Sequence, residues 1–366
     1  MIGRFSQLST WMVLAILPLF LAGCATRYGA KNVAPTGYSY NNAIAQSKDE
    51  QLLLNLVRLR YRDTVVFMDI TGVTTQHQYT AGISSETLFP FDELRSGASL
   101  MIPNATYSET PTVTYAPIEG VEFAQNLLSP ISAETIVLLA NSGWSIERLL
   151  ACCVERLGTL SNAPSVSGPT PPVLPNNAAF RKTASILRQL QRDERVYVEE
   201  ESSAARSGKN IYLVVEAAPG LDCDYLRNTL AAPNCQMRFQ LIERRGELKD
   251  GELLAQTRTV LGALYALSHA VVIPDQHQQA GFATTSEIES SETPDWDTFL
   301  GQQFRVRSSI EEPKNAFVKV LYRHHWFWID DKDLETKTTF SLVSFLLSLQ
   351  SAASDGVSPL LTLSAG

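Results

Sequence analysis

Five prolines, Pro164, Pro169, Pro171, Pro172 and Pro175, fall between residues 158 and 177 among Ser, Asn and Gly. Each fixes its own φ and removes a backbone donor, so neither a helix nor a strand ladder is expected to run through this stretch. We therefore read residues 158–177 as a linker between an N-terminal domain, 47–157, and a C-terminal domain, 178–366, and a chain of 366 residues has room for both. Composition agrees with folded domains. Hydrophobic residues make up 45% of the chain, charged ones 19% and aromatic ones 9%, which excludes a disordered chain, a collagen-like repeat and a bundle of membrane-spanning helices. The formal charge of −8 argues against nucleic acid as a partner, because phosphate is held by clustered Lys and Arg.

The N-terminus carries one positive charge, Arg4, then an apolar stretch from Trp11 to Leu21, then Ala22 and Gly23 before Cys24. This is the layout of a secretory signal, too short for a permanent bilayer span. Leu21-Ala22-Gly23-Cys24 resembles a bacterial lipobox, and the coincidence of apolar stretch, small residues and Cys favours it over an ordinary signal with a chance Cys. The resemblance implies removal of a signal peptide, 1–23, and acylation of Cys24, palmitate included. Two or more acyl chains hold a protein firmly at a membrane. Ala25 in place of Asp implies passage to the outer membrane, on its periplasmic face, with surface exposure left open. Residues 24–46, rich in Gly, Asn, Ala, Ser and Tyr, read as a lipidated, flexible tether.

Periodicity outlines the rest. Ser47 and Glu50 form a capping box ahead of a helix through Leu52, Leu53, Leu56, Val57 and Leu59 to about Arg62. Residues 64–80 and 97–115 read as strands, and 119–128, 133–141 and 146–157 as helices, the last capped by Ser145 and stopped at Gly158. Beyond the prolines come a polar amphipathic helix over 177–193, strands near 195–200, 210–217 and 235–244, a helix over 257–269 and a short strand over 270–273. Residues 274–301 form an acidic loop, with Asp275, Glu287, Glu289, Glu292, Asp295 and Asp297 and no Gly-punctuated calcium pattern. Alternation over 302–310, a hairpin of 316–322 and 325–329 turning at Arg323-His324, an apolar helix over 334–349 and an edge strand near 359–363 complete the chain.

Cysteine usage fits an oxidising compartment. Cys223 and Cys235 flank a short polar segment and are candidates for a disulfide, whereas adjacent Cys152 and Cys153 read as buried free thiols. The segment Gly143-Trp144-Ser145 lacks the second Gly of a nucleophile elbow, and none of His77, His269, His277, His324 or His325 is followed by Glu, as a metalloprotease helix requires. No catalytic residue, metal ligand or cofactor is assigned. The densest cluster is His324-His325-Trp326-Phe327-Trp328-Ile329-Asp330-Asp331. On a strand, Trp326 and Trp328 share one face, a candidate binding surface for a partner protein or a sugar with Asp330 and Asp331 at its edge. The competing reading is a strand covered on both faces. Arg58, Arg60 and Arg62 either lean on anionic head groups or end a solvated helix.

The segments Gln51-Leu52-Leu53-Leu54-Asn55-Leu56-Val57-Arg58-Leu59-Arg60-Tyr61-Arg62-Asp63, Pro111-Thr112-Val113-Thr114-Tyr115 and Trp326-Phe327-Trp328-Ile329-Asp330-Asp331 are similar to an uncharacterised family of proteobacterial envelope lipoproteins. The resemblance implies shared architecture and location and brings no activity. The sequence thus describes an α+β protein, its mixed or antiparallel sheets packed with helices, in two domains behind the tether. It reads as a non-enzymatic binding or assembly component of the cell envelope, anchored by lipid and partnered by another envelope protein. The alternative is an enzyme or sugar-binding module acting on peptidoglycan or another glycan through Trp326 and Trp328.

Overall fold

The computed structural model describes residues 33–87, 99–118, 120–171, 175–202, 209–243, 246–284, 299–300, 302–351 and 361–364. The chain divides into one unit ending at Lys48 and a second, Asp49–Gly366. Helix α1, Val33–Tyr61, begins well before the capping box at Ser47, so the described part of the expected tether is helical. Ser47 and Glu50 sit inside that helix.

Within Asp49–Gly366 the protein is α+β, built from mixed and antiparallel sheets with helices packed on them. The elements run β1 (Met68–Thr87), β2 (Ser99–Pro117), α2 (Val121–Leu128), α3 (Ala133–Asn141), α4 (Ile146–Cys153), β3 (Val154–Leu157) and β4 (Leu160–Ser161). There follow α5 (Ala178–Arg192), β5 (Val196–Ser202), β6 (Lys209–Glu216), α6 (Leu221–Leu230), β7 (Gln236–Ile242), β8 (Glu252–Thr257), α7 (Val260–Ser268) and α8 (Asp275–Gln279). The chain closes with β9 (Arg307–Ser309), β10 (Ala316–Tyr322), β11 (His325–Asp330), α9 (Leu334–Ser351) and β12 (Leu361–Ser364).

A six-stranded sheet in the order β4-β3-β8-β7-β6-β5 is antiparallel except between β7 and β8. Period-two alternation turns Leu213 and Val215 of β6, Met237 and Phe239 of β7 and Leu253 and Ala255 of β8 into one core. Helices α4, α5 and α6 cover that core with Ile146, Leu150, Phe180, Leu187, Leu226 and Leu230. A three-stranded sheet, β10-β11-β9, lies in a second core with α7, α9 and the Leu52–Tyr61 part of α1. A third sheet, β1-β2-β12, is dominated by one long hairpin.

The proline-rich stretch does not part these cores. Ala163 and Val166 are buried in the same cluster as Val260, Leu264 and Phe304. Proline bars regular structure without barring burial, provided that the polar backbone finds partners. The Asn162 N–H donates to the Glu155 carbonyl at 2.7 Å and its own carbonyl accepts from Arg258 at 2.5 Å, while its side-chain amide ties the stretch to the end of α4 by donating to the carbonyls of Leu150, Ala151 and Val154 at 3.3, 3.0 and 2.8 Å. A short 3-10 turn, Pro164–Ser167, continues the path. The two cores are therefore made of interleaved segments rather than of 47–157 and 178–366.

Other expectations shift locally. The helix expected to reach Leu157 ends at Cys153, because Val154 turns extended (φ −113°, ψ 130°) and pairs with Thr257. Ser145 occupies the cap position of α4 without a side-chain bond. Gln191 takes over the role, its side-chain oxygen accepting from the Ile146 N–H at 2.9 Å. The polar segment between Cys223 and Cys235 contains helix α6, and β8 joins the large sheet.

Candidate functional site

Strand β11 carries different chemistry on its two faces. His325, Phe327 and Ile329 are buried, and Trp326, Trp328 and Asp330 between them are half-buried. Neither expected extreme holds: the inner face is core, while the indole face stays partly open. Ladder pairing sets Trp328 beside Lys319 and Arg307, and Trp326 beside Leu321 and Ser309. The Lys319 ammonium lies 5.7 Å from the Trp326 ring and the Arg307 guanidinium 5.5 Å from that of Trp328, both within cation–π range. Leu321 is 57% exposed on β10. The buried Trp328 Nε1–H has no hydrogen-bond acceptor, although an indole N–H usually finds one.

The acids beside this face are engaged. Asp330 lies 3.9 Å from Arg307 and accepts from the Lys332 N–H at 3.0 Å, and Asp331 pairs with Lys337 at 2.7 Å. Each carboxylate is thus held by a cation of the chain itself.

Behind β11 lies a cluster that unites distant parts of the sequence. The Tyr61 hydroxyl, at the end of α1, shares a hydrogen bond with His277 Nδ1 at 2.5 Å. His277 meets His325 edge-on at a ring separation of 4.4 Å. Tyr322 donates to Asp63, and Arg323 bonds the same carboxylate oxygen at 3.0 Å. The Arg323 guanidinium also lies 4.9 Å from the Phe282 ring and 5.3 Å from that of Tyr61.

Burial raises the Tyr61 pKa to about 12 in spite of the nearby Arg323. Burial and then the neighbouring His325 lower that of His277. For Asp63 burial acts upward, but the bonds from Tyr322 and Arg323 outweigh it and the net shift is down. The hydroxyls and the imidazole are therefore held neutral and Asp63 charged. Such a set latches the β10–β11 turn to the end of α1. Sequence reasoning missed it because its parts lie near 61, 277 and 322, although Tyr61 and Asp63 belong to the quoted Leu-Arg-Tyr-Arg-Asp motif.

Of the arginines of that motif only Arg60 serves the interior, whereas Arg58 is half-buried and Arg62 is exposed at the helix end. Arg60 is 2% exposed and donates to the Thr170 hydroxyl and the Thr284 carbonyl, each at 2.8 Å. Arg62 reaches the Thr284 hydroxyl at 3.0 Å, and Arg58 contacts the Asn55 amide oxygen at 3.5 Å. Buried Asn55 clasps the Val66 backbone through both its amide groups, at 2.7 and 3.2 Å. Burial brings the Arg60 pKa down to about 10.

Cys223 and Cys235 form a disulfide with Cα atoms 5.5 Å apart, and Cys152 and Cys153 are buried free thiols. A cleft of about 800 Å³ is lined by Leu230, Met237, Phe239, Leu253, Arg238 and Lys249. Among the described residues no three His, Cys, Asp or Glu side chains gather at metal-binding distance. No described helix is long and apolar enough to cross a membrane. Cys24 and the acidic positions 287–297 lie outside the described residues. No known family model matches the chain, and neither the curated proteins nor the solved structures contain a match.

Proposed function

We propose that this chain is a lipid-anchored component of the bacterial envelope that works by binding, with the Trp326–Trp328 face as its docking surface for a partner protein. One observation supports the surface most directly. Two half-buried indoles stand on one strand between Lys319 and Arg307 and next to exposed Leu321. Trp and Arg are the side chains that dominate protein interfaces, and Lys319 and Arg307 are each paired with a carboxylate of the chain, Glu312 at 2.7 Å and Asp330 at 3.9 Å. The anchor rests on the Leu21-Ala22-Gly23-Cys24 motif.

A photo-crosslinking amino acid at position 321, in intact cells, tests the surface. A discrete adduct is expected, and Trp326→Ala or Trp328→Ala should each lower its yield about tenfold, as for an interface hot spot. Absence of an adduct removes the protein-docking reading. Quenching or protection of the indoles by soluble peptidoglycan fragments transfers the face to a glycan. The anchor is checked separately, since Cys24→Ser should abolish labelling by radioactive palmitate.

A further inference from the structure

Strand β1 has β2 on one side and, among the described residues, no strand on the other. The two pair antiparallel from Met68↔Pro117 to Thr87↔Ser99, with one shift between Ile70 and Gly72. From Gly72 to Thr87 the ladder is unbroken, roughly 50 Å at 3.2–3.4 Å per residue. β12 adds a third strand only beside Thr112 to Tyr115 of β2.

An exposed edge is normally blunted by Lys, by Pro or by brevity. β1 is long and contains no Lys, Arg or Pro. A hairpin two strands wide is also marginal in water. A further strand on the open edge of β1 satisfies its outward backbone groups and widens the sheet at once.

The sequence of β1 says which strand fits. Along the edge of an antiparallel ladder, the N–H and C=O groups that point outward belong to alternate residues. When two copies of one such edge pair about a two-fold axis, that axis must therefore pass through a residue. β1 reads nearly alike in both directions about His77, as Gly72-Val73-Thr74-Thr75-Gln76-His77-Gln78-Tyr79-Thr80-Ala81-Gly82. An axis at His77 sets Gln76 against Gln78, Thr74 against Thr80 and Gly72 against Gly82 of the other copy, with Thr75 against Tyr79 and Val73 against Ala81 between them. An axis at Gln76 or at Gln78 brings no such like residues together between Thr71 and Ile83. Thr–Thr pairs, and pairs of an aromatic with a β-branched residue, stabilise neighbouring strands. Self-complementarity of this kind is what an isologous contact requires, since residue i meets j while j meets i. The match starts at Gly72, where the regular ladder starts.

We infer that two copies of this chain associate through their β1 edges, antiparallel about a two-fold axis at His77, into one continuous sheet in the order β2-β1-β1-β2. The paired span, Gly72 to Gly82, contains no Asp, Glu, Lys or Arg, so no like carboxylates or ammonium groups are brought face to face. Phe67, which is buried in a core of the body, directly precedes β1. The antiparallel arrangement therefore sends the two bodies to opposite ends of the shared sheet, with their Phe67 positions roughly 60 Å apart along the strands. The inference uses neither the Trp326–Trp328 surface nor the lipid anchor.

The test takes the full-length protein, purified in mild detergent, and light scattering should give two copies per particle. Opposed Cα atoms of an antiparallel pair lie about 4.5–5.5 Å apart, within disulfide reach. His77→Cys should therefore join the two copies when oxidised with copper phenanthroline. Thr74→Cys and Thr80→Cys should each stay unlinked alone and link to one another when mixed. The wild-type chain, whose free thiols Cys152 and Cys153 are buried, is the reference. The double variant Gln76→Lys, Gln78→Lys sets ammonium groups opposite each other and should raise the Kd of the pair at least about tenfold, while thermal unfolding of the body is unchanged. Mixing it with Gln76→Glu, Gln78→Glu should restore association. A monomer overturns the proposal, as does a particle in which position 77 forms no link, a Thr74→Cys chain that links to itself as readily as to Thr80→Cys, or a lysine variant that associates as before.

Discussion

The two hairpins of this molecule are both antiparallel ladders and reach opposite outcomes. β10–β11 is short, turns through Arg323 and His324, and lays Val318, Phe327 and Ile329 into a core shared with α7 and α9. β1–β2 runs through 19 registered pairs, yet beyond Thr74 no other strand flanks it among the described residues. Alternation specifies which face is apolar but not what covers it. In the short hairpin the chain's own helices do so. The long one has no such helices in its described sheet, which consists of β1, β2 and β12 alone.

Truncation should expose the contrast most strongly. Phe327 is fully buried and stacks edge-on against Tyr61 at 6.0 Å, so Phe327→Ala should cost about 3–5 kcal/mol in urea unfolding. Thr80→Ala, at an exposed position of the long hairpin, should shift the same transition by less than about 0.5 kcal/mol. Equal losses would mean that both hairpins belong to one cooperative core and would break the comparison.

Acid should act next, and on the body alone. Burial, then the charge of Arg60, lowers the His269 pKa from 6.5 to about 3. Between those values the unfolded chain binds a proton that the folded one refuses, so stability falls as pH falls through that window. At about 1.4 kcal/mol per pH unit, His269 alone removes roughly 2 kcal/mol by pH 5. His277 shifts in the same direction. His269→Asn should flatten the dependence of unfolding free energy on pH between 6 and 4 by about one proton; an unchanged slope would place the acid sensitivity elsewhere.

A smaller loss is expected at the latch. Tyr322→Phe removes the hydroxyl bonded to Asp63 and should cost about 1 kcal/mol. Arg323 still holds that carboxylate, so the turn keeps its place. Double-mutant analysis with Asp63→Asn should show coupling between the two positions, and strictly additive effects would deny the latch.

What the sequence made legible follows from range. The arms of β10–β11, the helix α5 and the strand β12 lie close to their expected places, because each shows its period within a few residues. Helix α6 stayed hidden, since its apolar stripe is only Cys223, Leu226 and Leu230 among Asp222, Asp224 and Arg227. The linker expectation rested on proline barring helix and strand and had no means to see Asn162 tying the stretch to three carbonyls at the end of α4. The two faces of β11 were legible in the alternation of Trp326 with Phe327. The contact of Tyr61 with His277 was not, because it joins residues 216 apart in the chain.

The smallest effect concerns the turn of the short hairpin. Arg323 and His324 both take positive φ, 49° and 65°, as a two-residue turn matching the strand twist requires. An L side chain in this conformation costs about 1–2 kcal/mol. Arg323 recovers part of that through Asp63 and the rings beside it, whereas His324 is exposed. Glycine at 324 removes the steric cost but gives the unfolded chain about 0.4–1 kcal/mol of added freedom. His324→Gly should therefore stabilise the protein by about 0.5 kcal/mol net. Arg323→Gly should gain nothing, because the same relief is offset by the lost pair with Asp63. A matched set of urea titrations checks the difference, and two variants shifted alike would show that the turn, unlike the strands it joins, is held by backbone geometry alone.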